Sequence, residues 1–397
     1  MPASGPTEIV NIGGAESRVT TVKLTYVSAS NPVEDIAGGE VTVGNWFESF
    51  LDAGIEVDLL TWGDEDATTD RGDLHVRTFA DLRPEEEIER TMRRRGSDVV
   101  LTQAGWSDLA LDLAEQLDVP SVLSVAGNPE LHDERAAETM DRRTSPTEIV
   151  ANSRFTQQWI TEQWARDSVL VYPHIDFDFY TVDADERGDC ISMVNPVHVK
   201  GGALFKDLAE YFPDEQFLAK AGWYMCREDP PTDMSWDMDW FRIFARTYHG
   251  FTDPSEDLML YSLTPREARF RPDSNVTYVP EYEILETYAR TSILLVPSQY
   301  FEAFGRVVLE AMWNGIPVIA SDRGGIPEAA GGAAMLVDDY DDVRAWKEKI
   351  ERMQSPDVYE AFARRGRERA ERYRSKQDER TETLVETIRD AVAAGRD

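Results

Sequence analysis

Two glutamates in the second half of the chain stand where chemistry on a bound ligand is expected. Glu302 lies in the polar loop PSQYFEAFG, directly after the apolar run TSILLVP at 291–297, and Glu310 lies eight residues further on. The spacing alone is uninformative, because other glutamate pairs of this acid-rich chain are also eight apart. A loop carboxylate accepts hydrogen bonds from ligand hydroxyls, and the amides that open a helix bind anions. The two glutamates therefore lie where a ligand is expected, one in the loop and one in the helix that follows it.

The surrounding residues predict the strand–helix–strand unit that positions these groups. The run at 291–297 is a short β-rich strand, a helical pattern extends from Gly305 to Gly315, and IPVIAS at 316–321 is a second strand. Units of this kind bind ligands at the carboxyl ends of their strands, beside the helix N-terminus. The amides predicted to face the ligand at that N-terminus are those of Phe304, Gly305 and Arg306.

The block 291–328 resembles the donor-site signature of the retaining nucleotide-sugar glycosyltransferases of family four. The resemblance rests on the order strand, Pro-Ser, Glu, Phe-Gly, Glu-Ala-Met, Gly-x-Pro-Val and Gly-Gly-x-Pro-Glu, over roughly a tenth of the chain. It implies that Glu302 lies next to the transferred sugar, that Glu310 binds the ribose hydroxyls, and that no metal or other cofactor is needed. The alternative for Glu310 is a helix ion pair with Arg306, four residues earlier, worth a few tenths of a kcal/mol.

A lysine and an asparagine add to the predicted donor site. Lys200 lies in the loop PVHVKGG after a predicted strand and is one of only seven lysines in the chain. The resemblance implies that it contacts the donor diphosphate; the alternative is a solvated lysine. The family often has an arginine five residues earlier, where this chain has Asn195. Our hypothesis is that Arg306 supplies the missing positive charge.

The first half of the chain opens with a strand, a loop that ends in Gly38-Gly39, a helix and a second strand. This order is typical of Rossmann-type folds, in which such glycines let backbone amides approach a phosphate or sugar. The alternative is a tight turn with close helix packing. The family often has a histidine after a later strand of this half, where this chain has Ala126 and Gly127. His132 is the acceptor-side candidate, although a surface histidine is the alternative.

The predicted fold class is α/β, with two facing Rossmann-like domains of the GT-B type and a cleft between them. Residues 1–180 are predicted to form the acceptor-side domain and residues 181–372 the nucleotide-sugar domain. The resemblance implies that a C-terminal helix, at 373–397, returns to the first domain. An aromatic-rich insertion at 223–272 has tryptophans and other aromatics at helical spacing. We expect it to pack on the domain or to form a homodimer; an acceptor platform is the alternative.

Composition limits the function and the setting. The chain of 397 residues has 41 basic and 75 acidic residues, a formal net charge of −34. Such a chain repels itself in dilute buffer, whereas molar salt shortens the Debye length to about 3 Å, so we expect a halophilic source with a high-salt cytoplasm. The charge disfavours nucleic acid as a partner. Two cysteines fit a reducing compartment, and the absence of a signal-peptide pattern or long apolar run predicts a protein that is at most peripheral at the inner membrane face.

Hydrolase and metalloenzyme classes have no support, because no His-x-x-His spacing and no Gly-x-Ser-x-Gly motif occurs. Asp-x-Asp strings occur, but they are weak signs of a metal site in a chain so rich in aspartate. The function that the resemblance implies, and that we predict, is retaining, metal-independent transfer of a hexose from a UDP- or GDP-sugar to a hydroxyl acceptor in glycan biosynthesis. The acceptor is a glycan, a lipid-linked molecule or a small molecule. The alternatives are a nucleotide-sugar epimerase and a non-catalytic sugar-nucleotide-binding subunit.

Overall fold

The structure is a computed structural model that describes most of the chain. The described residues are 21–33, 38–63, 65–81, 84–103, 106–126, 145–183, 188–196, 198–220, 275–279 and 284–395. The predicted insertion at 223–272 and the candidate His132 lie outside the described residues, as does part of the predicted interdomain linker.

The first domain is built on an eight-stranded sheet. Its strands are β1 (Lys23–Ser28), β2 (Glu56–Trp62), β3 (Ala67–Arg71), β4 (Leu74–Phe79), β5 (Val99–Gln103), β6 (Ser121–Val125), β7 (Glu148–Ala151) and β8 (Val169–Leu170). The helices between them are α1 (Gly38–Asp52), α2 (Glu85–Arg95), α3 (Ser107–Gln116) and α4 (Arg154–Trp164). The strand order is β3-β4-β2-β1-β5-β6-β7-β8, and every neighbouring pair is parallel except β3–β4. Helices cover both faces, which explains why the central strands are apolar runs without alternation.

The second domain repeats the pattern with six parallel strands. They are β9 (Cys190–Val194), β10 (Phe217–Lys220), β11 (Val276–Val279), β12 (Thr291–Val296), β13 (Val318–Ser321) and β14 (Met335–Val337), in the order β11-β10-β9-β12-β13-β14. The helices are α5 (Gly202–Tyr211), α6 (Ile284–Arg290), α7 (Arg306–Trp313), α8 (Ile326–Ala330) and α9 (Val343–Met353). The unit predicted around Glu302 is therefore β12–α7–β13.

Two helices end the chain, α10 (Pro356–Arg374) and α11 (Gln377–Ala394). The composition of the Arg-rich stretch at 364–380 predicts a charged helix running to the C-terminus. The structure instead has a break in this stretch, because the helix stops at Arg374 and restarts at Gln377. Leu384, Ile388 and Ala391 form an apolar stripe on α11 that joins the core of the first domain. The C-terminal helix thus returns to the first domain, as the resemblance implied.

The edge of the first sheet was missed by the sequence prediction. β3, with the sequence ATTDR, is exposed along its whole length and pairs antiparallel with β4. A polar strand without apolar alternation has no periodic signal. The following helix α2 begins with three glutamates and ends with three arginines, charges that suit the helix dipole, and Gly96 caps it at φ +76°.

The predicted α/β class with two domains is confirmed: each domain is built on a sheet that is parallel except for the β3–β4 pair. The exact domain boundaries stay a prediction. Within the described residues, no helix is both long enough and apolar enough to span a bilayer.

Candidate active site

Glu302 and Lys200, predicted from separate parts of the sequence, meet at the carboxyl edge of the second sheet. Lys200 Nζ lies 3.3 Å from Glu302 Oε1, and the Ser298 hydroxyl donates to the same oxygen at 2.7 Å. The lysine side chain is 27% exposed and the glutamate side chain 12% exposed. A carboxylate and an ammonium, both partly open to solvent, therefore share one corner of the cleft.

Glycines hold the loop that contains Glu302 in place. The Gly325 amide donates to the Glu302 carbonyl at 2.7 Å. A Cβ atom at Gly324 would lie 2.5 Å from that carbonyl oxygen, and one at Gly325 would lie 2.2 Å from the Ala303 oxygen. On the other side, Gly201 has φ +86°, and its Cβ would lie 2.2 Å from the Pro297 oxygen. Since backbone packs directly on backbone, the loop has little freedom to shift.

The helix α7 opens directly after this loop. Gly305 precedes it in a left-handed conformation with φ +91°, which an L-amino acid side chain would strain. Phe304 is buried beside Tyr172 and Tyr373, so it fixes the direction in which the helix begins. The structure thus places the amides of Phe304, Gly305 and Arg306 at the entrance to a helix next to Glu302, as predicted.

Glu310 lies inside α7 and is almost fully covered, with a side chain only 5% exposed. Its Oε2 accepts a hydrogen bond from the Tyr288 hydroxyl at 2.7 Å, and its Oε1 lies 3.4 Å from Arg306 Nε. The ion pair considered as the alternative is therefore present, while binding of ribose by Glu310 stays a prediction. Burial and the nearby Glu310 charge raise the pKa of Tyr288 well above its ordinary value, so the phenol remains a donor. Sequence reasoning missed Tyr288, because a single tyrosine in a helix has no motif signal.

Arg306 extends from α7 to the N-terminus of α1 in the first domain. Its Nη1 donates to the Gly38 carbonyl at 3.1 Å and to the Thr42 hydroxyl at 2.5 Å. The N-termini of α1 and α7, one from each domain, thus lie close together across the cleft. The hypothesis that Arg306 replaces a missing phosphate-binding arginine stays a prediction, since its guanidinium is engaged by Glu310 and α1 in this arrangement.

The remaining predicted residues surround the same cleft. Asn195 follows β9 in a left-handed conformation with φ +62°. A Cβ atom at Gly38 would lie 3.8 Å from Arg306 Cδ, and one at Gly39 would lie 3.1 Å from Gln103 Nε2. Gln103, at the end of β5, was missed by sequence reasoning because an uncharged residue that ends a strand stands out in no pattern. Its Oε1 accepts from Ser124 at 2.8 Å, which orients the amide toward α1.

A second group of polar side chains lies at the opposite, amino-terminal edge of the first sheet. Glu56, Asp58 and His75 have ligand-type atoms within 4.8 Å of one another. Arg95 already pairs with Glu56 at 2.5 Å and with Asp58 at 2.8 Å. The group is therefore part of an ion-pair network whose cations include Arg95 and Lys23.

Solved structures of glycosyltransferases match nearly the whole chain. Sucrose-phosphate synthase from Thermosynechococcus elongatus matches with a TM-score of 0.71 at 18% identity, over 94% of this chain and 100% of that one. Anabaena HepE, solved in complex with UDP and glucose, matches with a TM-score of 0.64 at 15% identity, over 91% of this chain and 99% of that one. At these identities the likeness establishes the fold.

Residues 275–369 match the family model of glycosyl transferases group 1. The matched segment lies in the second domain. The group 1 segment includes Glu302, Arg306 and Glu310. O-antigen chain mannosyltransferase B from Escherichia coli is 32% identical over 101 residues, which is 25% of each chain. D-inositol 3-phosphate glycosyltransferase from Saccharomonospora viridis is 32% identical over 117 residues, 29% of this chain and 26% of that one. The match thus spans about a quarter of these two curated relatives.

Proposed function

We propose that the protein transfers a hexose from a UDP- or GDP-sugar to a hydroxyl acceptor, with retention of anomeric configuration and without a metal. The observation that carries this proposal is the pairing of Lys200 with Glu302, 3.3 Å apart, at the entrance to α7. A cation and a carboxylate fixed side by side suit a ligand that joins a diphosphate to a sugar.

Departure of the nucleoside diphosphate needs positive potential where the charge develops. The Lys200 ammonium supplies a charge, and the amides at the start of α7 supply oriented dipoles that need no reorganisation during the reaction. In this proposal the bond between the sugar and the diphosphate breaks, and an oxygen of the departing diphosphate takes the proton of the acceptor hydroxyl. The hydroxyl oxygen then bonds to the sugar on the face from which the diphosphate departs.

Recognition of the sugar is assigned to Glu302. Ser298 and Lys200 both contact Oε1, which fixes the carboxylate plane and leaves Oε2 to accept a hydrogen bond from a sugar hydroxyl. Glu310 is assigned to the ribose: each of its oxygens has a second lone pair, although reaching it requires its covering side chains to move. The complex of HepE with UDP and glucose supports a nucleotide sugar as the ligand class.

The setting is part of the proposal. The formal net charge of −34 supports a high-salt cytoplasm, with contact to a membrane no more than peripheral. The acceptor, and a homodimer formed through 223–272, stay predictions.

The test is to incubate the protein in molar KCl with UDP- and GDP-hexoses and an acceptor panel, and to measure release of UDP or GDP. The anomeric configuration of the product, read by NMR, tests retention, and addition of EDTA tests metal independence. Glu302→Gln and Lys200→Ala are expected to lower turnover at least tenfold, the size of losing one charged hydrogen bond. Lys206→Ala, on the exposed face of α5, is the matched control.

Other outcomes of the same experiment distinguish the alternatives. Conversion of the nucleotide sugar without an acceptor would indicate an epimerase. Calorimetric binding of nucleotide without any transfer would indicate a non-catalytic binding subunit. Unchanged turnover in both site variants would contradict the assignment of Lys200 and Glu302.

A further inference from the structure

Arg306 connects the two domains at the point where the N-termini of α1 and α7 meet. Its side chain is 9% exposed, and its Nη1 contacts both the Gly38 carbonyl and the Thr42 hydroxyl. The Thr42 hydroxyl in turn donates to the Gly38 carbonyl at 2.8 Å. A cation that belongs to the second domain is thus bonded to the first turn of a helix in the first domain.

The other side of the guanidinium is fixed from within the second domain. Arg306 Nε lies 3.4 Å from Glu310 Oε1, and the Tyr288 hydroxyl donates to Glu310 Oε2 at 2.7 Å. The Glu310 side chain is 5% exposed. Because a buried cation and a buried carboxylate tolerate few relative positions, Tyr288 and Glu310 set the direction in which Arg306 points.

Contacts within the second domain use only part of the Arg306 guanidinium. Its Nε pairs with Glu310, and the Tyr180 side chain lies beside it. Its Nη1 instead reaches the first domain, where it contacts Gly38 and Thr42. The contacts across the cleft are therefore made in addition to the ion pair inside the second domain.

We propose that Arg306 is a positioning residue that sets the separation between α1 and α7, and with it the fit of a nucleoside diphosphate between the two helix N-termini. The proposal rests on the proposed function. Without Arg306, α1 and its Gly38-Gly39 turn move relative to the helix that binds the donor, since interfaces between domains of one chain permit motion by default.

Thr42 makes this inference testable without altering the donor site. Thr42 is only 3% exposed, so it cannot contact a ligand directly. An effect of Thr42 on nucleotide binding therefore passes through one of its two bonding partners, Arg306 or the Gly38 carbonyl. A double-mutant cycle separates the two routes, because only the route through Arg306 makes the effects of the two variants non-additive.

The experiment is a double-mutant cycle with Arg306→Met, Thr42→Val and the combination, using calorimetric titration with UDP and with GDP in molar KCl. Each single variant is expected to weaken binding about tenfold, the size of losing a hydrogen bond to a charged group. The combination is expected to bind no more weakly than Arg306→Met, because both changes break the same contact. Arg306→Lys is expected to be intermediate, since one ammonium does not reach Glu310 and Thr42 together.

The matched control is Thr387→Val on α11, a buried threonine whose hydroxyl bonds to the Thr383 carbonyl within its own helix. It is expected to leave nucleotide affinity unchanged. Normal binding by Thr42→Val, or additive effects in the combination, would overturn the positioning role.

Failure of the proposed function has a different signature. If the wild-type protein binds neither UDP nor GDP, the assignment of the donor is wrong. Whether Arg306 bridges the two domains is then decided by hydrogen exchange, which needs no ligand. The amides to follow are those of α1 from Thr42 onward, because the amides of the first turn have no intrahelical partner to lose. Arg306→Met and Thr42→Val are both expected to speed exchange there, and unchanged protection would refute the bridge.

Discussion

Replacing Gly325 by alanine tests how firmly the Glu302 loop is positioned. Gly325 has φ −81°, a conformation that alanine adopts freely, so the effect of the change is purely steric. The added Cβ would lie 2.2 Å from the Ala303 oxygen, 2.7 Å from the Ala303 carbonyl carbon and 2.8 Å from Phe304 Cα. All three are backbone atoms, so no side-chain rotation can relieve the clash. The loop must therefore move by about 1 Å to restore contact distances.

This displacement is expected to lower both the turnover and the free energy of unfolding. A misplacement of about 1 Å in an active site lowers turnover about a hundredfold. Overpacking lowers the free energy of unfolding by about 1–3 kcal/mol. The assays are release of UDP or GDP from a nucleotide sugar and urea denaturation of the same sample, both in molar KCl.

The control is Gly332→Ala. Gly332 has φ +79°, and nothing lies within 4 Å of its Cβ position, so it has backbone strain without a clash. It is expected to lower the free energy of unfolding by about 1 kcal/mol and to leave turnover unchanged. Turnover of folded Gly325→Ala within about twofold of this control would refute the reasoning. If Gly325→Ala does not fold, Ser298→Ala decides instead: it removes a hydrogen bond to Glu302 without adding an atom, and is expected to lower turnover about tenfold.

Three further predictions concern stability, each measured by chemical denaturation. Arg95→Met is expected to lower the free energy of unfolding by about 3 kcal/mol, because Asp58, whose side chain is 4% exposed, loses its cation. Arg93→Met, at a 61% exposed side chain, is expected to cost under about 0.5 kcal/mol, and equal losses would contradict this difference. Burial and, secondarily, Arg306 lower the pKa of His174, so the unfolded chain binds its proton at higher pH. The stability that comes from burying a neutral His174 is complete above about pH 6.5, and it is lost as the pH falls below that value. His174→Gln is expected to reduce this loss of unfolding free energy at low pH, and a pH profile identical to that of the wild type would contradict the prediction. The denaturation midpoint is expected to rise from dilute buffer to molar KCl because salt screens the net charge of −34, and a flat response would remove the argument for a high-salt setting.

Sequence reasoning succeeded where the signal is local. The strand at 291–296, the helix after Gly305 and the strand at 318–321 were each bounded by apolar periodicity and by glycine or proline. Ser153, a residue type that favours the N-cap, directly precedes α4, and its side chain accepts a hydrogen bond from the Thr156 amide. Sequence reasoning failed at β3, where all five residues are exposed. It also failed at the break between α10 and α11, where the polar composition on both sides is that of a helix.

The sequence by itself determined most of the order of strands and helices, the α/β fold class, and the placement of Glu302 in a loop that opens a helix. These follow from patterns within a few residues, which local propensity and periodicity are sufficient to specify. Only the tertiary structure decided the partners: Lys200 and Ser298 on one oxygen of Glu302, Tyr288 on Glu310, and Arg306 reaching Gly38, 268 residues away. Such contacts depend on which sheet edges meet and how two domains face each other, and no spacing along the chain encodes that distance.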